Sequence, residues 1–183
     1  MVRNVEIKAR CEDPSHIRDT LMAEGAEFRG TDHQRDTYYR VPFGRLKLRQ
    51  GNIEKALIHY HRPDQAGPKT SEVHLAPVVH DVALARVLAD ALGWLVVVDK
   101  VREIYFIGNV KFHIDTVEGL GRFVEIEAID TAGDIPREEL QRQCRHYMQA
   151  FGIREPDLVS DSYSDMLLRL QPGTAGSPYG PAS

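Results

Sequence analysis

The sequence predicts one α+β domain, a largely antiparallel sheet with helices packed against it. Three features of the 183 residues carry that expectation. Charged and apolar residues alternate through several strand-like segments, the period of a sheet with two different faces. Other segments place apolar residues at helical spacing. Clusters such as Pro42-Phe43-Gly44 and Pro63-Asp64-Gln65-Ala66-Gly67-Pro68 separate the strand-like runs with turn chemistry.

Taken in order, Val2 to Cys11 reads as a strand with charge on one face. Asp13-Pro14 predicts a helix start, with Pro14 at the first helical position, and Gly25 predicts its stop. Ile17, Leu21 and Met22 form that helix's expected buried stripe. Residues between Gly30 and Glu72 read as strands broken by turns. Asp81 to Gly93 predicts a second helix with Leu84, Val87, Leu88, Ala91 and Leu92 inward. Strands are expected over Leu95–Ile107, Val110–Thr116 and Gly121–Ala128, with Leu95–Val98 as a buried start. A third helix runs from near Pro136 to near Gly152. Its stripe of Leu140, Cys144, Tyr147, Met148 and Phe151 reads as core packing. A short helix covers Ser162 to Leu170. Residues 171–183 are rich in Pro, Gly, Ser and Ala without periodicity and predict a disordered tail after a single domain over 1–170.

Composition narrows the function classes. The hydrophobic share is 42%, the charged share 27% and the formal net charge -4. That balance is globular, and its sign argues against a general nucleic-acid binder. The two cysteines, Cys11 and Cys144, are too few for a disulfide framework and fit a reducing compartment. No signal-peptide h-region follows Met1, and no apolar run is long enough to span a bilayer. The expectation is a cytoplasmic protein without membrane contact.

The charges carry the chemistry. Side chains at i and i+2 of a strand share a face. Glu6 and Lys8 therefore point one way, as do Lys47 and Arg49, Lys100 and Arg102, His113 and Asp115, and Glu125 and Glu127. Apolar residues lie between them. One reading is a half-wet sheet with its charged face in water, the commoner arrangement for any single pair. Five pairs, two of them basic and one doubly acidic, favour the other reading. If the sheet closes on itself, these faces meet in one lumen. Carboxylates there need partners or a cation, and converging Arg and Lys need an anion. A metal–polyphosphate complex satisfies both sets, since Mg²⁺ is held by a few carboxylates together with substrate phosphates.

These residues sit within an ordered set of motifs: Val5-Glu6-Ile7-Lys8-Ala9-Arg10, Asp36-Thr37-Tyr38-Tyr39, Gly44-Arg45-Leu46-Lys47-Leu48-Arg49, Tyr60-His61-Arg62-Pro63-Asp64, Lys69-Thr70-Ser71-Glu72 and Lys100-Val101-Arg102. Later come Ile114-Asp115-Thr116-Val117-Glu118-Gly119-Leu120-Gly121, Phe123-Val124-Glu125-Ile126-Glu127 and Ser162-Tyr163-Ser164-Asp165. Over roughly Val2 to Leu168 the chain resembles the CYTH superfamily, the triphosphate tunnel metalloenzymes. The match is strongest to its class IV adenylate cyclase-like branch. The resemblance implies a closed eight-stranded antiparallel β-barrel forming a triphosphate tunnel, with helices packed outside. It implies that Lys8, Lys47, Arg49, Arg62, Lys100 and Arg102 grip the phosphates, with Lys8, Arg49 and Arg102 as catalytic candidates. It also implies that Glu6, Asp115, Glu125 and Glu127 hold Mg²⁺ or Mn²⁺. Strand parity selects most of these residues independently, though not Arg62.

The implied activity is divalent-metal-dependent turnover of a triphosphate. It is either adenylate cyclase-like conversion of ATP to cyclic AMP and pyrophosphate or phosphohydrolysis. Candidate substrates are ATP, thiamine triphosphate and tripolyphosphate. Self-association into a homodimer stays open. One departure stands out. Where the family usually reads Glu-x-Glu-x-Lys, this chain has Asn4-Val5-Glu6-Ile7-Lys8. Asn offers an oxygen but no charge, so metal affinity should fall, and a non-catalytic polyphosphate- or nucleotide-binding module becomes the alternative.

Other signals are weaker. His59-x-His61 has a spacing that can bind Zn²⁺, with His74 or His33 as third ligand, but the histidines are otherwise scattered. His113 is the better functional histidine, read as a support for Asp115. Tyr38, Tyr39 and Tyr60 are read as core before base pocket. Tyr163 and Asp165 are read as part of a surface helix before a cap on one tunnel mouth. Glu118-Gly119-Leu120-Gly121 reads as a hairpin turn, with no phosphate-loop motif elsewhere.

Overall fold

Strand alternation sorts the chain into two apolar layers and one charged one. In the computed structural model, which describes the backbone of residues 2–61 and 69–170, the order is β1 (Val2–Arg10), α1 (Ser15–Ala23), β2 (Glu27–Tyr39), β3 (Arg45–Gln50), β4 (Lys55–His61), β5 (Lys69–Pro77), α2 (Asp81–Leu92), β6 (Trp94–Ile107), β7 (Val110–Val117), β8 (Gly121–Asp130), α3 (Arg137–Ala150), a 3-10 turn (Glu155–Asp157) and α4 (Tyr163–Leu170). Arg62 and the expected disordered tail lie outside the described residues.

All neighbouring strands pair antiparallel, in the order β1-β5-β4-β3-β2-β6-β7-β8, and β8 pairs back onto β1. The expected closed barrel is corrected in shape. The sheet is an open, strongly curled half-barrel that covers 214° of arc, with its edges 8 Å apart. The seam gives the physical reason. Among the described residues β1 and β5 pair only from Val2 to Glu6 against Val73 to Lys69, while His74 to Pro77 continue beside β4. β5 thus runs on past its ladder with β1, and strands so unevenly matched, twisting against one another, curl rather than close as a regular cylinder.

The outer layer is apolar. Val5, Ile7 and Ala9 of β1, Phe112 and Ile114 of β7, and Val124, Ile126 and Ala128 of β8 pack under Ile17 and Leu21 of α1 and Leu140, Cys144 and Tyr147 of α3. Removing that surface from water is the main stabilising term for the sheet's curvature onto its helices. Cys144 is a core thiol, its Sγ donating to the Val5 carbonyl at 3.2 Å. The α1 stripe is narrower than expected, since Met22 is 62% exposed. It lies one step around the helix from Leu21. Pro14 occupies the N-cap position instead of the first turn, and Asp13 accepts from the Ser15 amide at 3.0 Å.

The second helix departs most from expectation. None of its residues is fully buried. Leu84, Leu88 and Leu92 are half-buried along one i, i+4 line, whereas Val87 and Ala91 are exposed. The chain's apolar run there is wider than the surface that β2 and β3 offer it.

The inner layer is mixed. Tyr38, Ala56, Ile58, Tyr60, Val96, Val98, Val117 and Phe123 form a second apolar cluster with Tyr163 of α4. Charged residues stand beside it at the same levels, Ala56 opposite Arg49 and Ile58 opposite Lys47. Among the described residues no helix is long and apolar enough to cross a membrane.

Candidate active site

The five charged pairs predicted from strand parity project inward. Glu6, Lys8, Lys47, Arg49, Lys100, Arg102, His113, Glu125 and Glu127 all line one cavity of about 450 Å³. Asp115 faces inward too but sits behind Arg102, fully buried. Burying so many ions is tolerable only when each has partners, and the partners fall into four groups.

In the first, Asp36 of β2 accepts from Lys47 Nζ at 3.0 Å, from Arg49 Nε and Nη2 at 2.9 Å each, and from Lys100 Nζ at 2.9 Å. Burial pushes the Asp36 carboxyl up, but Arg49, Lys100 and Lys47 outweigh it and hold it well below the usual carboxylate range. Burial lowers Lys100 to about 7, with Asp36 opposing the shift.

In the second, Arg102 donates to Asp115 and Glu125. Its Nη2 stands 2.5 Å from Asp115 Oδ2 and 2.8 Å from Glu125 Oε2. The Tyr163 hydroxyl also donates to Asp115 at 2.8 Å. Lys8 Nζ lies 3.4 Å from Glu125 and 4.1 Å from the Tyr163 ring centroid. His113 serves Glu125 rather than the expected Asp115, with Nδ1 at 3.1 Å. Burial, then Arg102 and Lys111, lower His113 to about 4. The ring is therefore neutral near pH 7, and its Nδ1–H donates to Glu125.

In the third, Glu54 of the β3–β4 turn accepts from Arg49 Nη1 at 2.8 Å, Lys111 Nζ at 2.5 Å and Gln34 Nε2 at 3.1 Å. The turn itself is held by buried Asp32, which accepts from the Ile53 amide at 2.9 Å and the Glu54 amide at 3.0 Å. Gly51 has no room for a side chain here, because a Cβ would stand 2.6 Å from both Asp32 oxygens.

In the fourth, Glu6 and Glu127 are direct partners across β1 and β8, and the Asn4 amide donates to Glu127. Asn4 Oδ1 is buried without a hydrogen-bond partner among the described residues.

The cavity has unlike walls and unlike ends. Ile53, Ala56, Ile58, Tyr60, Val73 and Leu75 make an apolar wall facing the charged strands. The α4 segment closes one end. Its buried Tyr163 and Ser164 correct the reading of a plain surface helix. Asp165 pins that end, accepting from Ser162 Oγ at 2.6 Å and Arg45 Nη2 at 2.7 Å. Tyr38 and Tyr60 line the cavity near this cap, whereas Tyr39 is buried outside the charged face with its hydroxyl near Ala85 O at 3.5 Å. Glu54 and Lys111 stand at the other, open end.

The oxygen donors Glu6, Glu125 and Glu127, with the orphaned Asn4 oxygen, have the hard-ligand chemistry of a Mg²⁺ or Mn²⁺ site. Among the described residues no three His, Cys, Asp or Glu side chains are arranged as a ready-made metal site. Among the described residues the His59, His61 and His74 combination forms no such site, and His33 lies on β2, which neighbours neither β4 nor β5. Asp36, Glu54 and Lys111 were not singled out by strand parity. Asp36 continues the inward series Asp32, Gln34, Asp36, and Lys111 the series Lys111, His113, Asp115. Glu54 lies in a turn, where no periodicity marks it.

This fold and charged interior agree with the family comparison. The CYTH domain model matches residues 3–163, and the chain belongs to that family. A Methanocaldococcus jannaschii protein provisionally named an adenylate cyclase is 26% identical over 176 residues, covering 88% of this chain and 97% of its own length. Among solved structures, the PH1819 protein of Pyrococcus horikoshii is 25% identical with TM-score 0.70, over 92% of this chain and 99% of its own. The PH1012 protein of the same organism is 24% identical with TM-score 0.72, over 88% and 98%. A Hippeastrum protein described as an adenylyl cyclase candidate with dominant triphosphatase activity shares the fold at TM-score 0.59 and 16% identity, over 91% and 95%.

Proposed function

We propose that this chain is a divalent-metal-dependent enzyme acting on a triphosphate. The observation that carries the reading is one cavity whose cations, Lys8, Lys47, Arg49, Lys100 and Arg102, face the carboxylates Glu6, Glu125 and Glu127. The basic set suits a polyphosphate chain, because fixed cations in a water-poor site stabilise the charge that spreads over phosphate oxygens. A bound Mg²⁺ or Mn²⁺, held by Glu6, Glu125 and Glu127, supplies further neutralisation of that charge.

The protein's own groups have distinct tasks. Lys47, Arg49 and Lys100 hold phosphate oxygens from a frame set by Asp36. Arg102, aligned by Asp115, and Lys8 stabilise developing charge near Glu125. Asp115 belongs to this positioning role in our reading rather than to the metal set, since it is fully buried behind Arg102 and, unlike Glu125, does not line the cavity. The apolar wall from Ile53 to Leu75 favours a triphosphate that carries an organic group, such as ATP, because apolar surface offers a polyanion no hydrogen bonds. Attack of the ribose 3′-hydroxyl on the α-phosphorus releases pyrophosphate, and attack of water on the terminal phosphorus releases orthophosphate. Both use the same cradle.

Asn4 favours a second reading, a triphosphate-binding module without turnover, because its amide replaces a family carboxylate and engages Glu127. ³¹P NMR with ATP and with tripolyphosphate, in Mg²⁺, Mn²⁺ or chelator, separates the two. Pyrophosphate plus cyclic AMP, or orthophosphate, in divalent metal only supports the enzyme. Shifted signals without products support the module. Unchanged spectra under every condition remove the triphosphate reading.

A further inference from the structure

We propose that Arg49 and Lys111 form an anion subsite at the open end of the cavity, and that Glu54 occupies it as an internal stand-in for a phosphate group. The inference rests on the triphosphate reading and adds a residue, Lys111, to the binding set. Three observations carry it. First, Glu54 reaches across the interior. Arg49 is on β3 and Lys111 on β7, strands that are not neighbours in the sheet, and one carboxylate touches both, at 2.8 and 2.5 Å. Two cations converging from opposite walls on one anion are what a phosphate group asks for. Second, both cations line the cavity, their side chains 10% and 13% exposed, so neither is a surface charge that water would satisfy. Third, the turn that carries Glu54 is pinned through its backbone. Asp32 clamps the Ile53 and Glu54 amides, and Gly51 fits only without a Cβ.

The device is thus one rotating side chain on a fixed turn. Glu54 is 25% exposed, which leaves it room to turn toward water. When a phosphate group arrives, the carboxylate rotates outward and its two cations transfer to the incoming oxygens. A carboxylate with one charge yields to a phosphate group carrying more. Glu54 then acts in the empty site as a competing anion that bridges Arg49 and Lys111 and offsets their mutual repulsion without ligand.

Glu54→Gln tests the competition, because the amide preserves shape and removes the charge. Isothermal titration of the full chain with tripolyphosphate in chelator should show binding about tenfold tighter than in the unaltered protein, by loss of a repelling charge. Lys111→Met should bind about tenfold more weakly, the effect of one lost charge-assisted contact. Equal or weaker binding by Glu54→Gln overturns the proposal, since a carboxylate that merely orients Arg49 is missed when its charge goes. Unchanged binding by Lys111→Met overturns it as well, and does so independently if Glu54→Gln fails to fold. If the unaltered protein binds tripolyphosphate while these variants behave oppositely, only the subsite is lost. If no protein binds ATP or tripolyphosphate with or without Mg²⁺, the triphosphate reading falls together with it.

Discussion

Arg102 and Asp115 face each other directly across β6 and β7 and close a two-pronged ion pair, Nε to Oδ1 at 2.7 Å and Nη2 to Oδ2 at 2.5 Å. Neither is exposed, and Tyr163 completes the carboxylate's shell from α4. The pair ties the charged interior to the helix that caps it.

Removing the charge of Asp115 should therefore act on stability before metal binding. Asp115→Asn leaves a buried guanidinium short of an anion, at about 3–5 kcal/mol. Urea unfolding measures that loss. Mn²⁺ affinity, read by electron paramagnetic resonance with tripolyphosphate present, should change less than in Glu127→Gln. A larger metal effect in Asp115→Asn returns Asp115 to the ligand set.

Asp36→Asn leaves Lys47, Arg49 and Lys100 without their shared counter-ion. The free protein should lose about 3 kcal/mol or more, by the same argument of an uncompensated buried charge. A polyanion replaces that counter-ion, so tripolyphosphate should raise the melting temperature of the variant more than that of the unaltered protein. Equal shifts in a thermal scan contradict the role given to Asp36.

Asn4→Glu adds a carboxylate beside Glu127 and removes the amide that donates to it. In chelator the variant should be less stable, by about 1–3 kcal/mol for the lost bond and the new repulsion. Added Mn²⁺ should reverse that order. A variant that responds to Mn²⁺ no more than the unaltered protein separates Asn4 from metal binding.

Lys100 titrates near 7 in the folded protein, against a usual 10.5. Between those values the unfolded chain binds the extra proton, so the stability of the free protein rises with pH across this window. Lys100→Met should remove that rise in denaturant titrations at neutral and alkaline pH. A bound polyanion favours the charged amine, so binding takes up a proton on the alkaline side of 7, which calorimetry in buffers of different ionisation heat detects.

Much of this molecule is legible in one dimension. Glu6 and Lys8, or Lys47 and Arg49, share a face because a strand repeats every two residues, whatever its neighbours do. The α3 stripe Leu140, Cys144, Tyr147 follows the helical period just as directly, and of the apolar residues between the charges Ile7, Ile114 and Ile126 join the outer core, whereas Val101 is 37% exposed. Local period also explains the errors. It made Met22 and Val87 look inward, because a stripe's width depends on what lies beneath it. Pairing across the sheet is set by long-range register, and that decided the rest. Asp36 reaches Lys100 over a sequence separation of 64 residues, and Glu54 reaches Lys111 over 57. The same register set Asp115 behind Arg102 instead of on the cavity, and it carried His74 to Pro77 of β5 past the ladder with β1 in a sheet that is curled open. Side-chain parity is a property of each strand alone, whereas partner choice and closure belong to the folded sheet, where burial forces every charge to find its opposite.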